Sequence, residues 1–276
     1  MTVMKYPGSK NSIAHWIIQH FPAGYESMTY LELFFGSGCV FFNKLPSQIE
    51  TINDIDNEVT NLFTQIRENT ERLIFLVENT AWSRSEYVLA FEKCDCQIER
   101  ARRFLVRAWF SIGSAYGNKN SLRMNIEETT GGHELFHHRL PAVLRETSKR
   151  LKSGPGHYVQ IENKNALELI QKYDRKNILM YLDPPYVHET RKQKKIYTYE
   201  MSDDDHRQLL EMIANVKANV IISGYDNELY NKYLENWNKS LSISIDEAGK
   251  KRTECLWFNY NLRQIDLFTQ EGGNAG

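Results

Sequence analysis

Residues 177–186 read NILMYLDPPY. The first six form a short apolar run of the kind that fills a strand buried on both faces. It runs straight into Asp183-Pro184-Pro185-Tyr186, so this tetrapeptide should sit at the carboxyl end of a central strand. Ligands bind there in open α/β sheets. The two prolines fix φ and remove two backbone donors, leaving nearby carbonyls uncommitted and able to accept from a ligand. Asp183 adds a carboxylate acceptor and Tyr186 a flat aromatic face. Together they suit a planar ring that bears an exocyclic amino group.

Outward from this stretch, strands and helices alternate. Residues 28–35 (MTYLELFF) read as a strand, followed by Gly36-Ser37-Gly38 and a helix start over 39–45. Residues 49–55 form the next strand, ending in Asn53-Asp54. Residues 59–67 then read as a helix with Val59, Leu62, Phe63 and Ile66 on one face. Further strands are expected at 158–161 and 219–223, and helices at 166–172 and 202–216. The middle of the chain has another texture. Residues 97–112 form an amphipathic helix, with Ile98, Ala101, Leu105, Ala108, Trp109 and Ile112 at helical spacing. Residues 113–132 fill with Gly, Asn, Ser and Thr, as a polar loop or small hairpin does. Residues 140–151 turn helical again. The expected fold is an α/β, Rossmann-like sheet carrying a mainly helical insert. The insert spans 60–154; residues 1–59 and 155–276 form the main domain.

The 276 residues, 41% of them hydrophobic, suffice for one large domain or a core domain plus a smaller one. A net charge of -1 neither supports nor excludes a nucleic-acid partner, since only a contact face needs to be positive. The four cysteines, Cys39, Cys94, Cys96 and Cys255, show no CxxC pair and no zinc-finger spacing. Free thiols and no metal are expected. No signal peptide or apolar span of about 18 residues is visible, which reads as a soluble, cytoplasmic protein.

Phe34-Phe35-Gly36-Ser37-Gly38 follows a strand, where glycines let a ligand approach the backbone. Asp54-Ile55-Asp56 lies about twenty residues further on, the spacing at which an acid meets a ribose in nucleotide-binding βαβ units. Asp54 closes its strand and is favoured for that role; Asp56 reads better as a helix N-cap.

KYPGSK at 5–10, ELFFGSG at 32–38, NDID at 53–56, YLDPPY at 181–186 and ISGY at 222–225 stand in a telling order. Over nearly its whole length the chain resembles the Dam-type, D12-class DNA adenine N6-methyltransferases. The resemblance implies S-adenosylmethionine as cofactor and double-stranded DNA as partner, with the target adenine flipped out of the helix. It implies Tyr6 and Lys10 as N-terminal cofactor contacts, and Phe35, Gly36, Ser37 and Gly38 as the loop around the methionine moiety. Asp54 becomes the ribose acid. Asn165 stands where the family often has a carboxylate for the cofactor adenine, and Glu162 is its rival. Asp183, Pro184 and Tyr186 carry over as the catalytic set, with Asp183 also near the cofactor. The amino nitrogen of adenine is a poor nucleophile, and two acceptors, Asp183 and the Pro184 carbonyl, would favour a pyramidal nitrogen. On this reading the ring face of Tyr186 matters, and Tyr186→Phe should keep appreciable activity.

Sequence reading by the protein falls to the insert. Asn118, Lys119, Asn120 and Arg123 belong to a loop rich in groups that pair with base edges. Arg191 and Lys194, in HETRKQKK at 188–195, belong to a loop expected to order on DNA. Arg100, Arg102, Arg103 and Arg107 either hold phosphates or form a solvated helix face. GATC is the commonest target of the family. A monomer in solution is expected, with room for more than one copy on DNA. Cytosine N4 methylation shares the chemistry but more often has Ser at the position of Asp183. RNA or protein-amide methylation and an inactive DNA-binding module are weaker rivals, and C5 methylation lacks its Pro-Cys pair.

Overall fold

The computed structural model describes residues 3–4, 6, 8–112, 122–124, 131–187, 199–245 and 251–262. Strands β1 (Thr29–Glu32), β2 (Ile49–Asn53), β3 (Tyr158–Glu162), β4 (Ile178–Leu182) and β5 (Asn219–Tyr225) run parallel. Strands β6 (Asn238–Ile245) and β7 (Lys251–Phe258) form a hairpin, and β7 pairs antiparallel with β5. The sheet order is β3-β2-β1-β4-β5-β7-β6. From β1 the chain first works outward through β2 and β3, then restarts on the other side at β4. That reversal makes a topological switch point between β1 and β4, the crevice in which doubly wound sheets bind ligands.

Side chains alternate along a strand. Tyr30, Leu179 and Tyr181 therefore enter one core, while Leu31, Met180 and Leu182 enter the other. Helices α1 (Ala14–Gln19), α2 (Cys39–Asn43) and α3 (Asn57–Glu68) cover the first face, through Ile17, Phe41 and Phe63. Helices α9 (Ala166–Tyr173), α10 (Asp203–Ile213) and α11 (Glu228–Tyr233) cover the second, through Leu169, Leu210 and Tyr230. With both faces covered, β4 is buried at every position, which is why it reads as a continuous apolar run. The fold is the expected Rossmann-like α/β sheet.

Between β2 and β3 the described residues are helical: α3, α4 (Thr70–Glu78), α5 (Arg84–Leu89), α6 (Gln97–Phe110), α7 (Gly132–Glu134), a π-helical turn (Leu135–Arg139) and α8 (Leu140–Leu151). Helix α3 packs on α6 and α8, and Leu62, Leu105 and Leu144 join the core beneath the sheet's first face. The arginines of α6 are largely covered and paired with carboxylates. Arg100 and Arg107 both pair with Glu58 of α3, Arg102 pairs with Glu86 of α5 and with Glu99, and Arg103 pairs with Glu99. They brace α6 against its neighbours, because a guanidinium on a half-covered helix face is best satisfied by nearby carboxylates. Trp109 of the same helix donates its indole N–H to the Val3 carbonyl at 2.9 Å and so pins the N-terminal segment.

Glu50 of β2 ties this helical segment to the sheet. Its side chain is fully buried and meets Lys44 at 2.5 Å, Arg150 of α8 at 2.5 Å and His157 at 2.8 Å. Burial pushes the carboxyl upward, but Arg150 and Lys44 outweigh it and hold it down at about 2. Because that lies below the ordinary value of about 4.3, the stabilisation is present above pH 4.3 and is lost as pH falls through 2. Glu50→Gln strands buried cations and should cost about 3 kcal/mol at pH 7. Urea unfolding across pH checks this: the gap between wild type and variant should close below pH 4, and equal stability at pH 7 would contradict it.

Candidate active site

The glycine loop follows β1 and turns back on the sheet. Phe35 N donates to the Asn53 carbonyl at 2.9 Å, and Gly38 N to the Phe35 carbonyl at 2.7 Å. Gly38 adopts φ 68°, where an L side chain is strained. A Cβ there would lie 2.4 Å from Cζ of Phe35. Gly36 N donates to Oδ2 of Asp54 at 2.8 Å, and Asp56 N donates to its Oδ1 at 2.9 Å. Burial pushes the Asp54 carboxyl up to about 6 against these two donors. Asp56 caps α3 by accepting from Glu58 N, as its position in the sequence suggests.

The N-terminal segment closes over this loop. The Tyr6 ring lies beside Gly36, within 3.0 Å of where a Cβ would stand. Ser9 and Ser37 hydroxyls both reach the Cys39 thiol, at 3.0 and 3.1 Å. Lys10 continues past the loop. Its ammonium lies 3.1 Å from Oδ1 of Asp183, 3.0 Å from the Gly8 carbonyl and 4.4 Å from the centre of the Tyr186 ring. Sequence reasoning assigns Lys10 to the cofactor; the geometry joins it to the tetrapeptide.

Asp183 leaves β4 into the switch-point crevice. Besides Lys10, the Ser223 hydroxyl of β5 reaches its Oδ1 at 2.8 Å, and Tyr181 OH lies 3.1 Å from that Ser223 oxygen. Burial raises the Asp183 carboxyl, and Lys10 and Ser223 oppose the rise. Among the described residues Oδ2 of Asp183 and the carbonyl of Pro184 accept no hydrogen bond. Tyr186 is buried, its hydroxyl donating to Oε2 of Glu254 on β7 at 2.7 Å. Tyr225, the last residue of β5, meets its ring edge to face at 4.5 Å.

One cleft, with about 1280 Å³ of empty space counting its open mouth, runs from the glycine loop to Asp183 and Pro185, and neither Pro184 nor Tyr186 belongs to its lining. Tyr6, Lys10, Phe35, Gly36, Ser37, Asp54, Asn165 and Asp183 all line it. Gly38 lies behind, at the start of α2. Asn165, not Glu162, reaches the cleft; its Oδ1 caps α9 by accepting from Leu167 N at 2.8 Å. Glu32 was not anticipated. It is buried in the cleft wall, accepts from Tyr30 OH at 2.6 Å, and burial pushes its carboxyl up to about 8. Ser223, Glu254 and the wall formed by Tyr199, Met201 and Leu209 were also missed. Ser223 and Tyr225 fall in the ISGY motif, which offers a signal. Glu254 has none. Of the residues expected at DNA, Asn118, Lys119, Asn120, Arg191 and Lys194 lie outside the described residues. Arg123 is half-buried, its backbone N donating to the Phe110 carbonyl at 2.6 Å and its carbonyl accepting from Trp82.

A crevice between β1 and β4 with a glycine loop on one wall and an acid-aromatic pair on the other is that of a Rossmann-like methyltransferase. Comparison with known families is more specific: the chain belongs to the D12 class of N6 adenine-specific DNA methyltransferases, whose family model matches residues 6–253. It is 23% identical over 289 aligned positions to the type II methyltransferase M1.LlaDCHI of Lactococcus lactis subsp. cremoris, across 98% of this chain and 89% of that protein. Among solved structures, the rRNA methyltransferase AviRa of Streptomyces viridochromogenes aligns over 92% of this chain and 86% of its own, at 10% identity and a TM-score of 0.41. No helix among the described residues is long and apolar enough to cross a membrane.

The loop makes its own prediction. Gly38→Ala combines left-handed backbone strain with a clash against Phe35 and Phe42, and should destabilise the fold by about 2–4 kcal/mol. Thermal and urea denaturation measure this; a change under about 0.5 kcal/mol, the scale of an ordinary surface substitution, would refute the loop geometry.

Proposed function

We propose that the protein transfers a methyl group from S-adenosylmethionine to N6 of an adenine flipped out of duplex DNA, within a short specific sequence. The observation that carries this reading is the pair of open acceptors beside Tyr186: Oδ2 of Asp183 and the Pro184 carbonyl. These two oxygens accept the two N6 hydrogens and draw the nitrogen lone pair out of the ring system, while the Tyr186 ring supports the base by stacking. Asp183, already raised by burial, takes the proton that N6 gives up. Lys10 lies over the Tyr186 ring, so base entry displaces its ammonium. Its departure removes a charge that holds the Asp183 carboxyl down, which strengthens Asp183 as a proton acceptor.

The cleft suits this cofactor. Its described lining holds five acidic side chains, Asp54, Asp56, Asp183, Glu200 and Asp205, besides Glu32, whose carboxyl burial raises to about 8, against one lysine, Lys10. Such a wall favours a cationic ligand. When bound, S-adenosylmethionine supplies an electrophilic methyl group on a positively charged sulfur. Tyr6, Phe35, Gly36 and Ser37 would hold its amino-acid part, with Gly38 shaping the loop from behind, and Asp54 its ribose, using lone pairs left over from the two backbone donors. Asn165 has committed its Oδ1 to the α9 cap, so its amide N–H groups remain to donate to a ring nitrogen of the cofactor's adenine. Asp183 borders both ligands.

Residues 60–154 would serve target recognition, with Asn118, Lys119, Asn120 and Arg123 at base edges, and Arg191 and Lys194 at the backbone beside the flipped base. GATC is the proposed site. Similarity to a type II methyltransferase supports a place beside a restriction enzyme.

Single-molecule sequencing of DNA treated with the purified protein tests base, position and site together; N6-methyladenine should appear within GATC. Asp183→Ala should still bind the cofactor but lose transfer by roughly 10²–10³-fold or more. Near-wild-type turnover in that variant, or methylation of another base, would overturn the reading.

A further inference from the structure

The Tyr186 hydroxyl does not face the cleft's solvent. It donates to Oε2 of Glu254 at 2.7 Å, and both residues are buried. Glu254 stands on β7 directly opposite Tyr225 of β5, and Tyr225 contacts the Tyr186 ring at 4.5 Å. Two antiparallel neighbours outside the tetrapeptide thus hold its aromatic ring, one through the hydroxyl and one through the ring. The ammonium of Lys10, 4.4 Å from the ring centre, marks this ring as one that receives positive charge.

We propose that Glu254 is a positioning residue for methyl transfer, which fixes and polarises the Tyr186 ring so that the target base meets it in one orientation. This rests on Tyr186 being the platform for that base. A carboxylate is a costly residue to bury, and a neutral acceptor would avoid much of that cost. What the charge adds is a stronger bond: a hydrogen bond to an ionised acceptor is about twice as strong as a neutral one. Burial, Asp183 and Glu254 all raise the Tyr186 phenol well above its ordinary value, so it stays a donor. A phenol pulled toward a carboxylate is richer in ring electrons. The amino nitrogen gains positive charge as the N–C bond forms and the C–S bond breaks, and an electron-rich ring beneath it stabilises that charge. Tyr186→Phe, harmless if only the ring face counts, should share the loss.

A double-mutant cycle on the full chain tests this, using wild type, Glu254→Gln, Tyr186→Phe and the double variant. Single-turnover methylation of a duplex bearing the mapped site gives the rate, and calorimetry gives cofactor affinity. Glu254→Gln should slow transfer roughly ten- to a hundredfold and change cofactor Kd by less than about twofold, a spread expected of a site it does not touch. In the Tyr186→Phe background it should cost nothing further. Equal slowing in both backgrounds, or no slowing in either, overturns the role. Should Glu254→Gln fail to fold, Glu254→Asp keeps the charge, shortens its reach and enters the same cycle with the same two outcomes. A duplex with 2-aminopurine at the target position separates the two levels. Equal fluorescence with wild type and Tyr186→Ala means the base-platform reading fails and the proposal with it; a difference between them with equal slowing in the cycle overturns Glu254 alone.

Discussion

Tyr30 sits beside Leu179, and Glu32 beside Tyr181, because β1 and β4 pair in parallel although two strands and the whole helical segment lie between them in the chain. That pairing constrains the rest of the molecule. It brings the carboxyl ends of two strands side by side, so the loops that follow them open into one crevice. The glycine loop and the tetrapeptide are neighbours only for this reason. Asp54 reaches the loop because β2 lies on the far side of β1, and Ser223 reaches Asp183 because β5 lies on the far side of β4. Each supporting side chain is thus supplied from one strand outward.

Charge in the crevice is arranged with the same economy. Three acids, Glu32, Asp54 and Asp183, are raised by burial, and each is restrained by nearby donors. Lys10 is the counterweight that the folded protein sets against Asp183. The helical segment solves a different problem with the same chemistry. Its arginines are neutralised by Glu58, Glu86 and Glu99, which leaves α6 as a brace rather than a binding surface.

The inner strand β4 was legible because burial on both faces writes an unbroken apolar run, and the centre of β5, Val220-Ile221-Ile222, reads the same way. Long amphipathic helices such as α3, α6 and α10 were legible by period. The hairpin β6–β7 was not. Its outer strand does alternate Ser240, Leu241, Ser242 and Ile243, but Leu241 and Ile243 are exposed, so the apolar set of this edge strand marks no buried face. The short helices α1, α4 and α5 span too few turns to establish a period. Local motifs located the tetrapeptide, the glycine loop and Asp54, since each needs an unusual backbone or a fixed spacing. Glu254 and the reach of Lys10 to Asp183 depend on contacts between distant segments. A glutamate on a strand reads as solvent-facing, and only tertiary packing buries this one. The arginines of α6 were ambiguous for a similar reason, because their partners sit on other helices.

The N-terminal segment is anchored at Val3 by Trp109, at Ser9 by Cys39, and at Lys10 by Asp183. The tetrapeptide is held in turn by Ser223 and Glu254. Contacts to the site therefore come from the beginning, the middle and nearly the end of the chain. A ribosome delivers these parts in order, and Lys10 emerges long before Glu254. A nascent chain that has not reached residue 254 lacks the acceptor of the Tyr186 hydroxyl, so the ring is held only after that part of the hairpin has been made.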